Sequence, residues 1–184
     1  VKNYCYGDCT MSTLIANTLQ GINTIKYDGS TTAQTINSNG ATALTVPHFF
    51  ADESSSITVS SSATVHTGFT EISDSHGGFS GHTYTIPSGL GGIWCFNTAI
   101  TFNSIGASTY ALLTLQVNGS QVSAHDNYIS SNNTNVPFRG IHMGSFSAGD
   151  TIRLMVAQGN GTKTSDPSGR TGFFSGWRMG SIIT

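Results

Sequence analysis

Histidine and acidic side chains are the residues of this sequence best suited to chemistry, because imidazoles and carboxylates transfer protons and bind metals. His76 follows Asp74 in a glycine-rich segment, and Ser123, His125 and Asp126 are the residue types of a nucleophilic triad. No Gly-x-Ser-x-Gly elbow accompanies them, and order along a chain does not fix geometry. The histidines, at positions 48, 66, 76, 82, 125 and 142, show no paired metal-ligand spacing. These residues are interpreted as polar groups of loops and strands.

The acidic residues are few, and each has a simpler explanation than catalysis. Glycoside cleavage needs two carboxyl groups placed on either side of a sugar. Asp150 is explained by a turn, and Asp52 and Glu53 by solvation of a loop. We therefore predict a non-enzymatic protein without catalytic residues.

The three cysteines do not form a complete metal site. Cys5 and Cys9 are close enough to pair or to supply half of a site, but no second half follows. Cys95 lies in an apolar run and is interpreted as a buried thiol. We predict no metal and no cofactor.

The amino-acid composition limits the classes of partner that this protein is expected to bind. Only 9% of the 184 residues are charged, against about 25% in an average soluble domain. The 7 Lys and Arg residues and the formal net charge of −2 provide no basic patch, so we expect no nucleic-acid binding. No apolar stretch approaches the ~20 residues that cross a bilayer, so we expect no membrane insertion. A surface of Ser, Thr and Asn with many glycines favours an extracellular or virion-borne β-protein.

Strand patterns dominate from position 46 onward. Residues 56–65 alternate as one half-buried strand, and residues 92–102 form a long run of aromatic and β-branched residues. Asn118-Gly119 is the strongest hairpin signal, with partner strands over 110–117 and 121–124. Short strands at this spacing, without helical periodicity between them, predict an all-β sandwich or jelly roll.

Four blocks occur in the order found in the globular heads of the complement first-component q subunit and tumour-necrosis-factor superfamily. They are residues 84–96 (YTIPSGLGGIWCF), 113–119 (LTLQVNG), 146–154 (FSAGDTIRL) and 172–179 (GFFSGWRM). The sequence from about position 49 to 184 thus resembles these heads. The resemblance implies a ten-stranded jelly roll that associates as a homotrimer.

Aromatic residues divide into two predicted groups. Those in the matched strands are interpreted as core or trimer-axis residues: Tyr84, Trp94, Phe96, Phe102, Phe146 and Phe174. Tyr128, Phe138 and Arg139 lie in the polar segment 126–140, which we interpret as an exposed loop. An arginine beside aromatic residues suits contact with sugars or proteins, so these three are the candidate ligand contacts.

We predict two domains, an extended N-terminal arm over 1–45 and a jelly-roll head over 46–184. Residues 12–20 (STLIANTLQ) resemble the N-termini of small tail and fibre proteins of marine bacteriophages. The resulting hypothesis is a short trimeric fibre or decoration subunit at a virion surface. Its arm would dock on other virion proteins, and host surface glycans are a candidate ligand. The alternatives are a capsid-cementing protein without a receptor role and a secreted ligand of the tumour-necrosis-factor kind.

Overall fold

A computed structural model describes residues 24–26, 32–36, 42–43, 46–129, 135–167 and 172–180. The chain divides into two compact units, Val1–Thr45 and Val46–Thr184. In the first unit, β1 (Thr24–Lys26), β2 (Thr32–Ile36) and β3 (Thr42–Ala43) form an antiparallel sheet in that order. Cys5, Cys9 and residues 12–20 lie outside the described residues, so the docking role of the arm stays a prediction.

The second unit is built from thirteen strands in its described residues. They are β4 (His48–Glu53), β5 (Thr58–Val59), β6 (Thr64–Val65), β7 (Phe69–Asp74), β8 (Phe79–Ser80), β9 (Thr83–Thr85), β10 (Gly92–Asn103), β11 (Thr109–Val117), β12 (Ser120–Ile129), β13 (Asn135–Phe146), β14 (Thr151–Gln158), β15 (Lys163–Thr164) and β16 (Phe173–Gly180). The long strand and the Asn118-Gly119 hairpin are confirmed. The single strand expected over 56–65 is instead β5 and β6, because the serines between them form a turn in which the Ser62 N–H donates to Ser60 Oγ (3.3 Å).

Two antiparallel sheets pack face to face. The first has the order β13-β10-β16-β4-β7, and the second has the order β12-β11-β14-β9-β8, with β6 also pairing β14. A short β15-β5 pair accompanies them. Alternating burial along the strands shows how each sheet contributes one face to the core. On β13 the even-numbered positions from Val136 to Phe146 face the interior, and the odd-numbered positions face solvent. The all-β sandwich prediction is confirmed.

Aromatic rings join the two sheets at the centre of the core. Phe49 on β4 stacks on Tyr84 of the opposite sheet with ring centroids 4.1 Å apart, and meets Phe174 edge-on at 4.9 Å. All three are buried, and each such ring contributes about 1.5–3 kcal/mol by leaving water. Burial, and secondarily the charge of Asp74, raises the pKa of the Tyr84 phenol far above its usual range.

Two turns at one end of the head are tied together by Asn118. Its Nδ2 donates to Asp150 Oδ1 (2.8 Å), and its Oδ1 accepts the backbone N–H of Thr151 (2.9 Å). Asp150 also accepts the Ser147 N–H (2.7 Å). Asn118 has φ 51, a left-handed conformation that asparagine tolerates better than most residues. The second and third sequence blocks are therefore one hydrogen-bonded unit.

The Asn118→Ala variant is expected to lower the free energy of unfolding by about 1–3 kcal/mol, because it removes these hydrogen bonds and strains the backbone. Asn118→Gly separates the two effects, since glycine accepts the backbone conformation but cannot make the bonds. Urea denaturation measures both variants. Equal stability of wild type and Asn118→Gly would show that the side-chain bonds contribute nothing.

Candidate functional site

In its described residues, the predicted binding loop over 126–140 is β-strand. Residues 120–129 and 135–146 are strands β12 and β13. Tyr128 is 67% exposed and Arg139 is exposed, but Phe138 is buried and packs edge-on against Phe102 at 5.3 Å. The loop interpretation was therefore wrong for the described residues, because their polar positions alternate with inward-facing apolar ones. The ligand role of Phe138 stays a prediction.

An open groove remains on the edge formed by β12 and β13. Its lining is Ala124, His125, Asp126, Pro137, Phe138 and Arg139. Asp126 and Arg139 are both exposed, so the groove offers a carboxylate and a guanidinium to a polar ligand. Such groups recognise hydroxyl and anionic groups by charge-assisted hydrogen bonds. Of the three predicted contacts, Phe138 and Arg139 line the groove.

The six residues predicted as core or trimer axis all lie inside a single chain. Each is buried in the cluster between the sheets: Tyr84, Trp94, Phe96, Phe102, Phe146 and Phe174. The Trp94 Nε1–H donates to the Leu90 carbonyl (3.0 Å), which satisfies its polar atom. These residues therefore stabilise the sandwich and are not available to a second chain.

Other apolar side chains project from the outer face of the five-stranded sheet. We call this set the outer patch; it consists of Phe50, Ile141, Met143, Trp177 and Met179, all exposed. The strand register places Met143, Cys95 and Trp177 in one row across β13, β10 and β16. Sequence reasoning missed the patch because four of its members alternate with polar or small residues, as they do in an ordinary solvated strand.

Charges lie at one margin of this face. The neighbouring row runs Ile141, Asn97, Ser175 and Phe50, and the row after it begins at Arg139 and ends at Asp52. Phe50 and Phe173 stack across these rows with centroids 6.0 Å apart. The centre of the face is thus uncharged and largely apolar, with Asn97 and Ser175 as its polar members. Depletion of charge is typical of the centre of a protein interface.

Cys95 lies beneath the outer patch, only 2% exposed. Burial raises the pKa of its thiol, so little of it is thiolate at neutral pH. The interpretation of Cys95 as a buried thiol is confirmed.

The residue types that suggested a triad do not assemble into one. Ser123 and His125 face the interior and line a small cavity, whereas Asp126 is on the exposed side of β12. At the other candidate, the Asp74 carboxylate accepts backbone N–H bonds from His76 (3.0 Å), Gly77 (3.0 Å) and Phe79 (2.6 Å). The Asp74 carboxylate therefore stabilises the loop that follows it by accepting these backbone hydrogen bonds.

One buried polar pair was missed by sequence reasoning. His66 Nε2 lies 3.0 Å from Glu53 Oε1, and both side chains are fully buried. Glu53 was predicted to lie in a solvated loop; this was wrong, because it occupies the last, inward-facing position of β4. A pair without access to solvent can stabilise the fold but cannot meet a substrate.

Neither a metal cluster nor a membrane helix is found in the part of the chain that the structure describes. No group of three or more His, Cys, Asp or Glu residues could hold an ion there. Among the same residues, no helix is long and apolar enough to span a membrane.

Solved structures with the same fold are found at low sequence identity. Murine APRIL at pH 5.0 aligns with a TM-score of 0.56 and 10% identity, covering 73% of this chain and 99% of APRIL. The globular domain of zebrafish complement 1qA gives 0.54 and 14%, covering 73% and 98%. Eiger TNF from S. frugiperda gives 0.53 and 13%, covering 76% and 94%. No protein-family model matches the chain, and no curated protein does.

These likenesses show the fold alone. The head therefore has the jelly-roll fold of these structures, and the prediction of an all-β jelly roll is confirmed.

Proposed function

We propose that the chain is a non-enzymatic structural protein whose head assembles as a homotrimer through the outer patch. The observation that carries this proposal is the uncharged, largely apolar centre of the outer face of the five-stranded sheet, with Met143 57% exposed and Met179 53% exposed. Contiguous exposed apolar surface of this kind marks association sites on soluble proteins. The resemblance of four sequence blocks to trimeric heads supports the three-fold state.

Low surface charge favours the same conclusion. Identical chains approach one another without strong like-charge repulsion when few side chains are ionised. Only 9% of residues are charged, and on this face they lie at the Arg139–Asp52 margin. Closed symmetric association buries the patch and ends growth at a fixed size.

Sedimentation equilibrium of the full chain tests the assembly. The wild type is expected at three times the 19.3 kDa chain mass, and Met143→Asp is expected to shift it to the monomer, because a carboxylate buried in an apolar contact costs several kcal/mol. Val122→Asp is the matched control, since Val122 is 41% exposed on β12 in the other sheet. A monomeric wild type, or equal dissociation of both variants, would contradict the proposal.

The biological setting we propose is the surface of a bacteriophage particle, with release to the exterior by host lysis. Support comes from the resemblance of residues 12–20 to phage tail and fibre proteins and from the composition rich in Ser, Thr, Asn and Gly. The unit over 1–45 would then dock on other virion proteins. Immunogold labelling of purified particles tests this setting: label at the tail supports a fibre, label over the capsid supports a decoration subunit, and unlabelled particles contradict it.

Host surface glycans are the ligand class we propose for the head. The β12–β13 groove carries the exposed Asp126 and Arg139, and Tyr128 on β12 is 67% exposed. Three weak sites on one trimer would gain apparent affinity by acting together. A glycan array comparing wild type with Arg139→Ala tests the ligand. Binding lost in the variant supports the proposal, whereas absence of binding in the wild type favours the cementing alternative.

A further inference from the structure

Two histidines from opposite sheets meet at one free edge of the sandwich. His125 lies on β12 and His142 on β13, the edge strands of the two sheets. Both line the same interior cavity of about 10 Å³, which is no larger than a single water. The histidines therefore fill the gap where the two sheets close on each other.

Local packing explains how both rings fit. A Cβ at Gly140 would lie 2.5 Å from His125 Cδ2, so this glycine makes room for the imidazole. The His142 ring meets Phe146 edge-on with centroids 6.0 Å apart. Gly140 and His142 are inward-facing positions of β13, and both line the cavity.

Two buried polar atoms in this cavity lack partners. His125 Nε2 and Ser123 Oγ are buried and make no hydrogen bond with any residue that the structure describes. The other residues around the cavity carry no charge: Phe96, Thr98, Leu113, Leu115, Gly140 and Ile141. The nearest charged side chains of these strands, Asp126 and Arg139, are exposed beside the groove. The described lining of the cavity thus offers hydroxyl oxygens but no carboxylate that could act as a counter-ion to an imidazolium.

We propose that His142, packed beside His125, forms an acid-sensitive latch that holds β12 against β13 at neutral pH and releases this edge when His142 is protonated. A charge on His142 would lie beside a mostly apolar cavity lining that supplies no counter-ion. Burial, and secondarily the neighbouring imidazole of His125, lowers the pKa of His142.

The direction of the pH effect follows from linkage. The folded pKa of His142 lies below the value of about 6.5 for an unperturbed histidine, so the unfolded or opened chain binds the proton first. The stabilising contribution is present above about pH 6.5 and is lost as the pH falls through the folded pKa. Acid therefore favours the open edge.

Hydrogen exchange combined with NMR titration of the full chain tests the latch. Between about pH 7.5 and about pH 5, amide protection corrected for intrinsic exchange is expected to fall by about tenfold in β12 and β13, and less in β4 and β16. His142→Gln is expected to abolish this difference. His76→Gln is the control, because His76 lies in an exposed loop where its Nδ1 contacts Ser75 Oγ (2.8 Å).

Two results would overturn the proposal. One is protection of β12 and β13 that does not change with pH in the wild type, or changes equally in His142→Gln. The other needs no variant: a His142 titration midpoint at or above about 6.5 would show that the folded state does not resist this proton. The wild-type titration therefore decides the matter even if the variant fails to fold.

Discussion

Gly176→Ala is expected to lower the free energy of unfolding by about 1–3 kcal/mol, as overpacking of a well-filled core does. A Cβ at Gly176 would lie 2.7 Å from Phe49 Cε1 and 2.7 Å from Phe96 Cδ1. Both rings are 1% exposed and are held by strands on either side of β16, so neither can move without disturbing the core. Gly176→Val adds two methyl groups beyond the alanine Cβ and is expected to prevent folding.

Gly180→Ala is the control for this prediction. Gly180 ends the same strand, and no heavy atom lies within 4 Å of a Cβ built there. Urea denaturation followed by tryptophan fluorescence compares the two variants. Equal loss of stability at both positions would mean that strand propensity, and not contact with the rings, sets the requirement for glycine.

The His66→Leu variant is expected to cost about 3–5 kcal/mol, the usual consequence of leaving one member of a buried pair without its partner. The Gly68 N–H donates to His66 Nδ1 (3.3 Å), and this leaves Nε2–H to donate to Glu53 Oε1 (3.0 Å). The other oxygen, Glu53 Oε2, is buried without a hydrogen-bond partner among the described residues. Loss of His66 would remove the side-chain donor that the structure shows for this carboxyl group.

A double-mutant cycle distinguishes pairing from simple loss of packing. Adding Glu53→Leu to His66→Leu is expected to recover part of the stability, because it removes the orphaned carboxyl group. Denaturation midpoints of the wild type, the two single variants and the double variant complete the cycle. Additive losses would mean that the two side chains act independently.

Much of the fold could be predicted because its signals are local. The Asn118-Gly119 turn fixes the register of β11 and β12, with Val117 opposite Ser120. The apolar run of 92–102 became β10, whose burial on both faces explains its lack of polar alternation. Turn chemistry and side-chain period are carried by neighbouring residues, so one sequence suffices to detect them.

The sequence predictions were wrong where the contact that decides a residue's environment joins residues far apart in the sequence. Residues 126–140 contain many polar side chains, and nothing local reveals that Phe138 meets Phe102 from another strand. Glu53 and His66 are thirteen positions apart, and their pairing depends on how β4 and the segment after β6 pack. The His125–His142 meeting likewise depends on sheet packing. Composition describes such residues as polar but cannot say which of them are enclosed.

The central position of β4 determines how the head carries mechanical load. This first strand of the head is flanked by β16 on one side and β7 on the other, both antiparallel to it. Ladder hydrogen bonds run perpendicular to their strands, so tension applied at Val46 along β4 shears two ladders at once. Rupture then requires many bonds to fail together, and its rate is governed by the unfolding barrier. We therefore expect a head that is pulled through β4 to resist mechanical unfolding, because both ladders of this strand are loaded in shear.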